Sequence, residues 1–281
     1  MIANDNTTAA AGLSREQMTL YERDGYVIVR GLFAPEEVAA IRAVFDDIAA
    51  AGKPIPGYWN PKTDPTDLAR DPLARYPRVM HPHRFSALSK RVMLDPRLHA
   101  VLRGLLGEEP IAAQSMFYYK PPGARGQALH QDNFYLQVKP GTCIAAWLAI
   151  DPSVPENGGL HVCPGTHKMD VVCPDQADPG VSFTTELVKP PPGCTVTPAL
   201  MESGDCLFFN GSVIHGSGPN KTRDLWRRSF ICHYMARSAR QISRGYFPLH
   251  DFAGHVVEYA ASPAGGPCGS EFLPSSYDTV H

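Results

Sequence analysis

The sequence shows no excess of basic residues, no long apolar run and no paired cysteine motif. Its 26 Lys and Arg residues stand against 28 Asp and Glu residues, which gives a formal net charge of −2. This balance argues against nucleic acid or an anionic membrane as a partner. No segment approaches the roughly 20 consecutive apolar residues of a membrane-spanning helix. Residues 1–6 lack both a basic region and an apolar core, so we expect no secretory signal and a cytoplasmic protein.

The seven cysteines are scattered, and no two of them have the CxxC spacing of a metal or redox motif. Their odd number, and the position of several inside apolar segments, predict reduced and buried thiols. Glycine and proline are more plentiful, at 24 and 27 residues. That content lies below the range of disordered chains and favours a β architecture rich in loops.

Two helices with clear ends are predicted near the N-terminus. Ser14 and Gln17 have the spacing of a capping box, which opens a helix that Gly25 ends. Pro35 and the acidic residues after it begin a second helix, where the helix dipole favours negative charge. Gly52 ends this second helix.

The next segment, residues 53–84, shows no periodicity and is interpreted as a loop that forms part of a lid or pocket rim. His81 and His83 at its end have a spacing that can bind metal, but surface or packing histidines are the simpler interpretation. A third helical region is predicted over residues 87–106, with a break near Asp95-Pro96.

From residue 111 onward the pattern changes to short apolar segments separated by Gly and Pro turn signals. Many short strands at this spacing are typical of a β-sandwich or jelly roll. The predicted strands cover residues 112–119, 142–150, 160–163, 194–197, 206–209 and 226–235. We therefore expect a single domain over residues 1–281, with a disordered tail at 1–13, a mainly helical layer at 14–110, a β core at 111–240 and a C-terminal wrap at 241–281.

His130 and Asp132 are the first candidates for metal ligands. Two residues apart on an extended strand, their side chains would point to the same face. A second imidazole has to come from elsewhere, and His215 follows a later apolar run. Two imidazoles and one carboxylate on one face of a metal form the ligand set of non-haem Fe(II) oxygenases, which leaves positions open for O₂ and an organic ligand.

An open Fe(II) site of this kind needs a further source of electrons. In one large group of enzymes 2-oxoglutarate supplies them, and its C5 carboxylate then needs a cationic partner such as the two-pronged guanidinium of arginine. Arg227 and Arg228 follow His215 at a suitable distance. Strand alternation allows only one of these two arginines to face inward.

Eight short motifs spread from about Tyr21 to Tyr234 carry a resemblance to a known family. They are Asp24-Gly25-Tyr26-Val27, Gln114-Ser115-Met116-Phe117, Lys120-Pro121-Pro122-Gly123, His130-Gln131-Asp132, Ala146-Trp147-Leu148-Ala149, Asn157-Gly158-Gly159-Leu160, Pro164-Gly165-Thr166-His167-Lys168 and His215-Gly216-Ser217. With these motifs the chain resembles the phytanoyl-CoA dioxygenase family of Fe(II)/2-oxoglutarate oxygenases. The resemblance implies a mainly β fold with flanking helices, in which a double-stranded β-helix (jelly-roll, cupin-like) core carries a helical N-terminal layer.

The same resemblance implies roles for individual residues. Iron would be held by His130, Asp132 and His215, and the C5 carboxylate of 2-oxoglutarate by Arg227, with Arg228 as the alternative. The residues that the family pattern places toward the cosubstrate are Ser217, Gln131, Trp147 and Met116. Lys120 could equally be a solvated strand end. His167 belongs to a family motif but is interpreted as a residue that fixes a loop. His161 and His233 are interpreted as packed core histidines and not as ligands.

The resemblance also implies a reaction class. Related halogenases replace the carboxylate ligand with a small residue, so the intact Asp132 favours hydroxylation. We expect an Fe(II)-, 2-oxoglutarate- and O₂-dependent dioxygenase that hydroxylates an unactivated C–H bond of a small organic metabolite, with succinate and CO₂ as co-products. A free metabolite is preferred over a CoA thioester, because no basic cluster for CoA phosphates is visible. The substrate loops would be residues 53–84, 168–192 and those after 240.

Two alternatives remain at this point. A cupin-like metal-dependent enzyme that does not use 2-oxoglutarate would keep the three ligands but would gain nothing from Arg227 and Ser217. A non-catalytic binding module on the same fold would be expected to have lost a ligand. The partners we expect are a small-molecule substrate, without nucleic acid or membrane, and the sequence does not predict the oligomeric state.

Overall fold

The computed structural model describes residues 12–263 and residue 268, and it is mostly β-sheet with helices on one side. The α-helices of this part are α1 (Arg15–Asp24), α2 (Pro35–Ala51), α3 (Pro65–Arg70), α4 (Ala87–Met93), α5 (Pro96–Leu106) and α6 (Asn133–Leu136). The strands are β1 (Tyr26–Val29), β2 (Val79–Met80), β3 (Pro110–Tyr118), β4 (Gln127–His130), β5 (Cys143–Ala149), β6 (Leu160–Val162), β7 (Asp175–Gln176), β8 (Glu186–Leu187), β9 (Thr197–Pro198), β10 (Cys206–Asn210), β11 (His215–Ser217), β12 (Ser229–Ala236), β13 (Gln241–Ile242), β14 (Leu249–His250), β15 (Val256–Val257) and β16 (Ala260–Ala261).

The ends of the first two helices are confirmed. Ser14 and Gln17 form the reciprocal capping box, with the Gln17 backbone N–H donating to Ser14 Oγ at 3.1 Å. Gly25 and Gly52 end α1 and α2 with φ values of 81° and 61°, a left-handed conformation that glycine adopts without strain. The predicted break in the third helical region is also confirmed, because the Asp95 side chain caps a new helix, α5.

Several sequence-based boundaries are wrong. Residues 53–84, expected to be a loop, contain α3, β2 and two short 3₁₀ turns. The strand expected at 194–197 is reduced to β9, and the strand expected from residue 226 begins at Ser229. The extended strand expected around His130 and Asp132 is found as β4, but it ends at His130. The strand β11 and the helix α6 were not predicted, because each is too short to show a periodic pattern.

Two sheets form the β part of the fold. The larger has eight strands, in the order β1-β10-β5-β12-β3-β14-β15, with β2 also paired to β3. The smaller has four strands in the order β4-β11-β6-β9. Side chains of both sheets share one apolar cluster, in which Trp147 and Ile231 of the larger sheet meet Leu160 and Val162 of the smaller. The two sheets therefore pack face to face.

Alternation along the central strands separates this cluster from a second one. On β5, Ala145 and Trp147 belong to the cluster between the sheets, whereas Ile144, Ala146 and Leu148 belong to a cluster shared with the helices. The residues that the helices contribute to that second cluster include Tyr21, Val38, Ile41, Phe45, Val92, Leu98 and Leu102. The helical layer thus covers the outer face of the larger sheet and leaves its inner face to the smaller sheet. No helix in the described part of the chain is both long and apolar enough to cross a lipid bilayer.

The two ends of the chain were predicted as a tail and a wrap. Residues 1–11 of the tail lie outside the described residues. Residues 241–263 of the wrap contain β13 to β16, and β14 joins the larger sheet through the pair His250 and Ala112. Apart from residue 268, the remainder of the predicted wrap also lies outside the described residues.

The cysteines do not form the expected set of reduced, buried thiols. Cys163 pairs with Cys194, and Cys173 pairs with Cys268, as two disulfides. The remaining cysteines, Cys143, Cys206 and Cys232, are free and buried. The error arises because pairing depends on loops that bring distant residues together, which spacing alone does not reveal. The cytoplasmic location expected from residues 1–6 stays a prediction.

Candidate active site

The site is built on two short strands of the smaller sheet. β4 and β11 run antiparallel, and His130 on β4 is the direct partner of His215 on β11. Their ring centroids lie 4.2 Å apart, and both side chains are buried. Gly216 permits this close approach, since a Cβ at that position would lie 2.8 Å from the Gln127 carbonyl oxygen. The glycine of the motif His215-Gly216-Ser217 therefore allows the two strands that carry the histidines to lie close together.

Asp132 reaches the two histidines in a way that the sequence did not predict. β4 ends at His130, and Asp132 has φ −62° and ψ −35°, the helical conformation that leads into α6. The argument from strand alternation is therefore wrong, because a turn brings the carboxylate back. Asp132 Oδ1 lies 3.4 Å from His130 Nε2 and 3.6 Å from His215 Nε2. The structure brings the three residues together, while their role as ligands stays a prediction.

The three side chains fit a divalent metal ion. One ligand atom from each lies within 4.8 Å of the other two, and all three residues are buried. His130 Nδ1 and His215 Nδ1 face the carbonyl oxygens of Ala128 and Val213, at 2.8 and 3.1 Å. A carbonyl can only accept, so each Nδ1 carries the proton and each Nε2 is left for a metal.

The charge states of the ligands also suit a cation. Burial lowers the pKa of His215 to about 4, so its imidazole is neutral near pH 7. Burial by itself would raise the pKa of Asp132, but the neighbouring His215, His233 and His130 hold that pKa well below its ordinary value. One carboxylate and neutral imidazoles form the donor set of a facial Fe(II) site. Gln127 Nε2 lies 3.1 Å from His130 Nε2, so a bound metal would displace that contact.

His233 holds the second oxygen of the carboxylate. Its Nε2 lies 2.9 Å from Asp132 Oδ2, and its side chain is buried on β12. The sequence interpretation of His233 as a packed core histidine missed this bond, because it depends on the pairing of distant strands. Within the described residues the metal-ligand group contains only the other two histidines and Asp132. His233 thus fixes which oxygen faces the site.

The two adjacent arginines have opposite environments. Arg227 is 3% exposed, and its Nη1 donates to Ser229 Oγ at 3.0 Å. Its guanidinium lies over the Trp147 ring, 5.4 Å from the centroid. Burial lowers the pKa of Arg227 to about 10, so the group stays charged at neutral pH. Arg228 instead forms salt bridges with Asp151 and Asp46.

A second buried cation, Lys120, lies beside Arg227. It is 2% exposed, and its Nζ donates to Ser217 Oγ at 2.8 Å and to the Gly158 carbonyl at 3.0 Å. Burial lowers the pKa of Lys120 well below its ordinary value, and Arg227 adds to the effect. Within the described residues neither cation forms a salt bridge. The interpretation of Lys120 as a solvated strand end is therefore wrong, and the Pro-Pro that follows it gave no sign of burial.

The other predicted site residues divide into two groups. Met116 and Trp147 line a small cavity together with Ser217, Arg227 and the three candidate ligands. Gln131 does not reach that cavity. Its Nε2 donates to the Ser212 carbonyl at 2.8 Å, and its Oε1 accepts from the Val172 backbone at 2.8 Å. Its amide therefore connects two loops, and a contact between Gln131 and the cosubstrate stays a prediction.

A larger cleft of about 1030 Å³ opens next to the inner cavity, and Tyr118 and Arg227 line both. The segment 54–80 supplies much of its wall, and Phe183 comes from the 168–192 loop. His83, from the HxH pair, is packed in the interior, with its Nδ1 2.7 Å from Ser115 Oγ. A cleft of this size accepts a small organic molecule beside the metal site.

Comparisons with known proteins identify the family. The model "Phytanoyl-CoA dioxygenase (PhyH)" matches residues 21–229. The peroxisomal phytanoyl-CoA dioxygenase of Rattus norvegicus is 28% identical over 259 residues, covering 88% of this chain and 76% of its own. The ectoine dioxygenase of Sphingopyxis alaskensis is 27% identical over 246 residues, which cover 79% of this chain and 76% of that protein.

Solved structures support the fold. EctD from S. alaskensis, solved with 2-oxoglutarate and 5-hydroxyectoine, has a TM-score of 0.63 at 24% identity, covering 85% of this chain and 80% of that one. The epimerase SnoN, in complex with Fe³⁺, α-ketoglutarate and nogalamycin RO, has a TM-score of 0.61 at 24% identity, covering 80% and 84%. Since the family model spans most of the sequence, the chain belongs to the phytanoyl-CoA dioxygenase family.

Proposed function

We propose that this protein is an Fe(II)- and 2-oxoglutarate-dependent dioxygenase that hydroxylates a C–H bond of a small organic metabolite, with succinate and CO₂ as co-products. The observation that carries the proposal is the pairing of two sites in one cavity. The His130, Asp132 and His215 side chains meet at one end, and the buried cation Arg227 lies at the other without a carboxylate partner among the described residues. A metal-only enzyme would have no use for such a cation.

Each group of residues has a distinct task in this proposal. His130, Asp132 and His215 would hold Fe(II), which supplies activation of O₂ with electrons drawn from 2-oxoglutarate. Arg227 and Lys120 would bind the C5 carboxylate, and Ser217 Oγ would donate to it. The apolar side chains Trp147 and Met116 line the space between these groups and would exclude water, which strengthens the electrostatic contacts there.

We also propose that the two facing sheets form the double-stranded β-helix of this family, and that residues 1–281 form one domain. The shared apolar cluster between the sheets and the helical cover on the outer face of the larger sheet support this view. The substrate is proposed to be a free metabolite, as the name of the related ectoine dioxygenase indicates for that protein. Related halogenases have a small residue at the position of the carboxylate ligand. The presence of Asp132 at this position supports hydroxylation as the outcome.

The test is succinate formation by the purified protein with Fe(II), 2-oxoglutarate and O₂. We expect slow conversion of 2-oxoglutarate to succinate without a primary substrate, and an increase when a substrate from a metabolite panel is added. The slow reaction should stop when Fe(II) is chelated. Oxidation of a panel compound without loss of 2-oxoglutarate would support the cupin-like alternative instead, and metal binding without any turnover would support the binding module.

His233 provides a prediction about metal affinity. We expect His233→Leu to weaken Co(II) binding by roughly tenfold to a hundredfold, the usual effect of losing a group that orients a ligand. The reason is that Asp132 Oδ2 would lose its hydrogen bond in a buried place. Calorimetric titration of the apoprotein with Co(II) measures the change. His233→Gln, which can still donate, should recover part of the affinity, and equal affinities in all three proteins would contradict a positioning role.

A further inference from the structure

Arg78 is a cation on the wall of the large cleft that neither the metal nor the C5 carboxylate site uses. It precedes β2 and lines the cleft close to Tyr118. Its guanidinium lies 5.4 Å from the centroid of the Tyr118 ring and 5.0 Å from that of Phe183, and its Nη1 donates to the Tyr118 hydroxyl at 3.1 Å. Two aromatic faces thus hold the cation where the cleft and the inner cavity meet.

Of the other cations that line this cleft, Lys62 is exposed to solvent, and the remaining three already have a partner or a proposed role. Arg125 forms a salt bridge with Asp71 and donates to the carbonyls of Pro179 and Ser182. Arg227 and Lys120 face the proposed C5 carboxylate. Unlike Arg125, Arg78 forms no salt bridge with any residue in the described part of the chain, and unlike Arg227 and Lys120 it has no part in the proposed cosubstrate site.

A charge count favours an anion at this place. Bound Fe(II) contributes two positive charges, Asp132 one negative charge and 2-oxoglutarate two negative charges. Arg227 and Lys120 add two positive charges, so the two proposed sites together carry one positive charge in excess. Arg78 increases this excess to two positive charges, and no group of the two proposed sites compensates it. A cation that is partly buried and unpaired gains most from a ligand that carries the opposite charge.

We propose that Arg78 binds a carboxylate of the primary substrate, so that the substrate is an organic acid. The inference rests on the proposed function and adds to it the chemical class of the metabolite. The aromatic rings hold the guanidinium in place, and its second edge offers N–H groups that match the two oxygens of a carboxylate. The remainder of the substrate lies in the cleft between Tyr58, Trp59 and Met80.

The experiment compares carboxylic acids with their own primary amides. A panel of matched acid and amide pairs, on aliphatic and aromatic scaffolds, is scored by the succinate formed above the substrate-free rate. We expect the wild type to respond to acids and to respond at least about tenfold less to the matching amides, since a hydrogen bond between two charged groups is worth more than one to a neutral group. A panel in which no acid exceeds its amide overturns the proposal.

Arg78→Gln tests the residue itself. For the best acid we expect KM to rise at least about tenfold in the variant, which corresponds to about 1.4 kcal/mol, and the preference for acid over amide to disappear. The KM for 2-oxoglutarate should stay within about twofold, which also shows that the variant is folded. Arg75→Gln is the matched control, because Arg75 is exposed, stacks on Tyr76 and does not line the cleft.

Two results would overturn the assignment of Arg78. One is an acid preference that persists in Arg78→Gln, and the other is a rise in the KM for 2-oxoglutarate, which would place Arg78 at the cosubstrate. The rate without primary substrate separates this proposal from the proposed function. If the wild type forms no succinate without a primary substrate, the proposed dioxygenase function is contradicted. If it forms succinate but shows no preference for acids, only the proposed substrate class is contradicted.

Discussion

Replacement of His130, Asp132 or His215 by alanine is expected to lower Fe(II)-dependent succinate formation by more than about a hundredfold. Changing a residue that only orients a ligand already costs roughly ten- to a hundredfold in metal affinity or activity, and loss of a ligand should cost more. Within the described residues no fourth side chain joins the three-residue group and could replace the missing donor. Succinate formation at saturating 2-oxoglutarate and metal affinity by calorimetry are the two measurements.

His161→Ala is the matched control for these variants. His161 lies on β6, the strand paired with β11 on the side away from β4, and it is not part of the metal-ligand group. Its removal tests whether loss of any histidine from the smaller sheet lowers activity through misfolding. We expect the activity of His161→Ala to stay within a few-fold of the wild type. Full activity in one of the three ligand variants would remove that residue from the site.

The second large effect is expected in Arg227→Ala, as a rise of at least about a hundredfold in the KM for 2-oxoglutarate. The C5 carboxylate would lie in a cavity where an unpaired charge is costly, and breaking a buried pair by removing one partner costs about 3–5 kcal/mol. Since about 1.4 kcal/mol corresponds to a tenfold change in affinity, this cost gives a rise in KM of at least about a hundredfold. Metal affinity measured without 2-oxoglutarate should change little. Initial rates at varied 2-oxoglutarate give the KM.

Arg228→Ala is the control at the adjacent position. Its guanidinium forms salt bridges with Asp151 and Asp46 and lies away from the cavity. We expect a small loss of thermal stability and a KM for 2-oxoglutarate within about twofold of the wild type. If Arg228→Ala raised this KM while Arg227→Ala did not, the orientation of the two arginines would be misassigned. If neither variant changed it, the cosubstrate assignment would fail.

Local signals in the sequence predicted the parts of the fold that local interactions determine. The capping box at Ser14 and the glycines that end α1 and α2 act within one helical turn, so their effect is visible in a few consecutive residues. The break before α5 is of the same kind. The ends of β4 and β11 are different, because these short strands depend on each other and not on their own composition.

The site shows the same division between local and long-range information. The residue types and spacing of His130, Asp132 and His215 were enough to select them, although the turn that orients Asp132 was not visible. Lys120 and His233 were assigned to other roles, because their burial and hydrogen bonds come from strands distant in the sequence. Gln131 was placed at the cosubstrate by its position in a motif, and nothing in the sequence indicated that its amide is bonded to the backbone of Ser212 and Val172.

The direct pairing of His130 with His215 has a consequence for the stability of the whole fold. The two imidazoles belong to different strands that are far apart in the sequence, so an ion held by both acts as a crosslink between β4 and β11. An unfolded chain cannot offer this pair of donors in the same geometry. By mass action, a cation at one hundred times its Kd would stabilise the folded chain by about 2.7 kcal/mol. The concentration of free metal in the surroundings would then set the fraction of folded molecules, in addition to their activity.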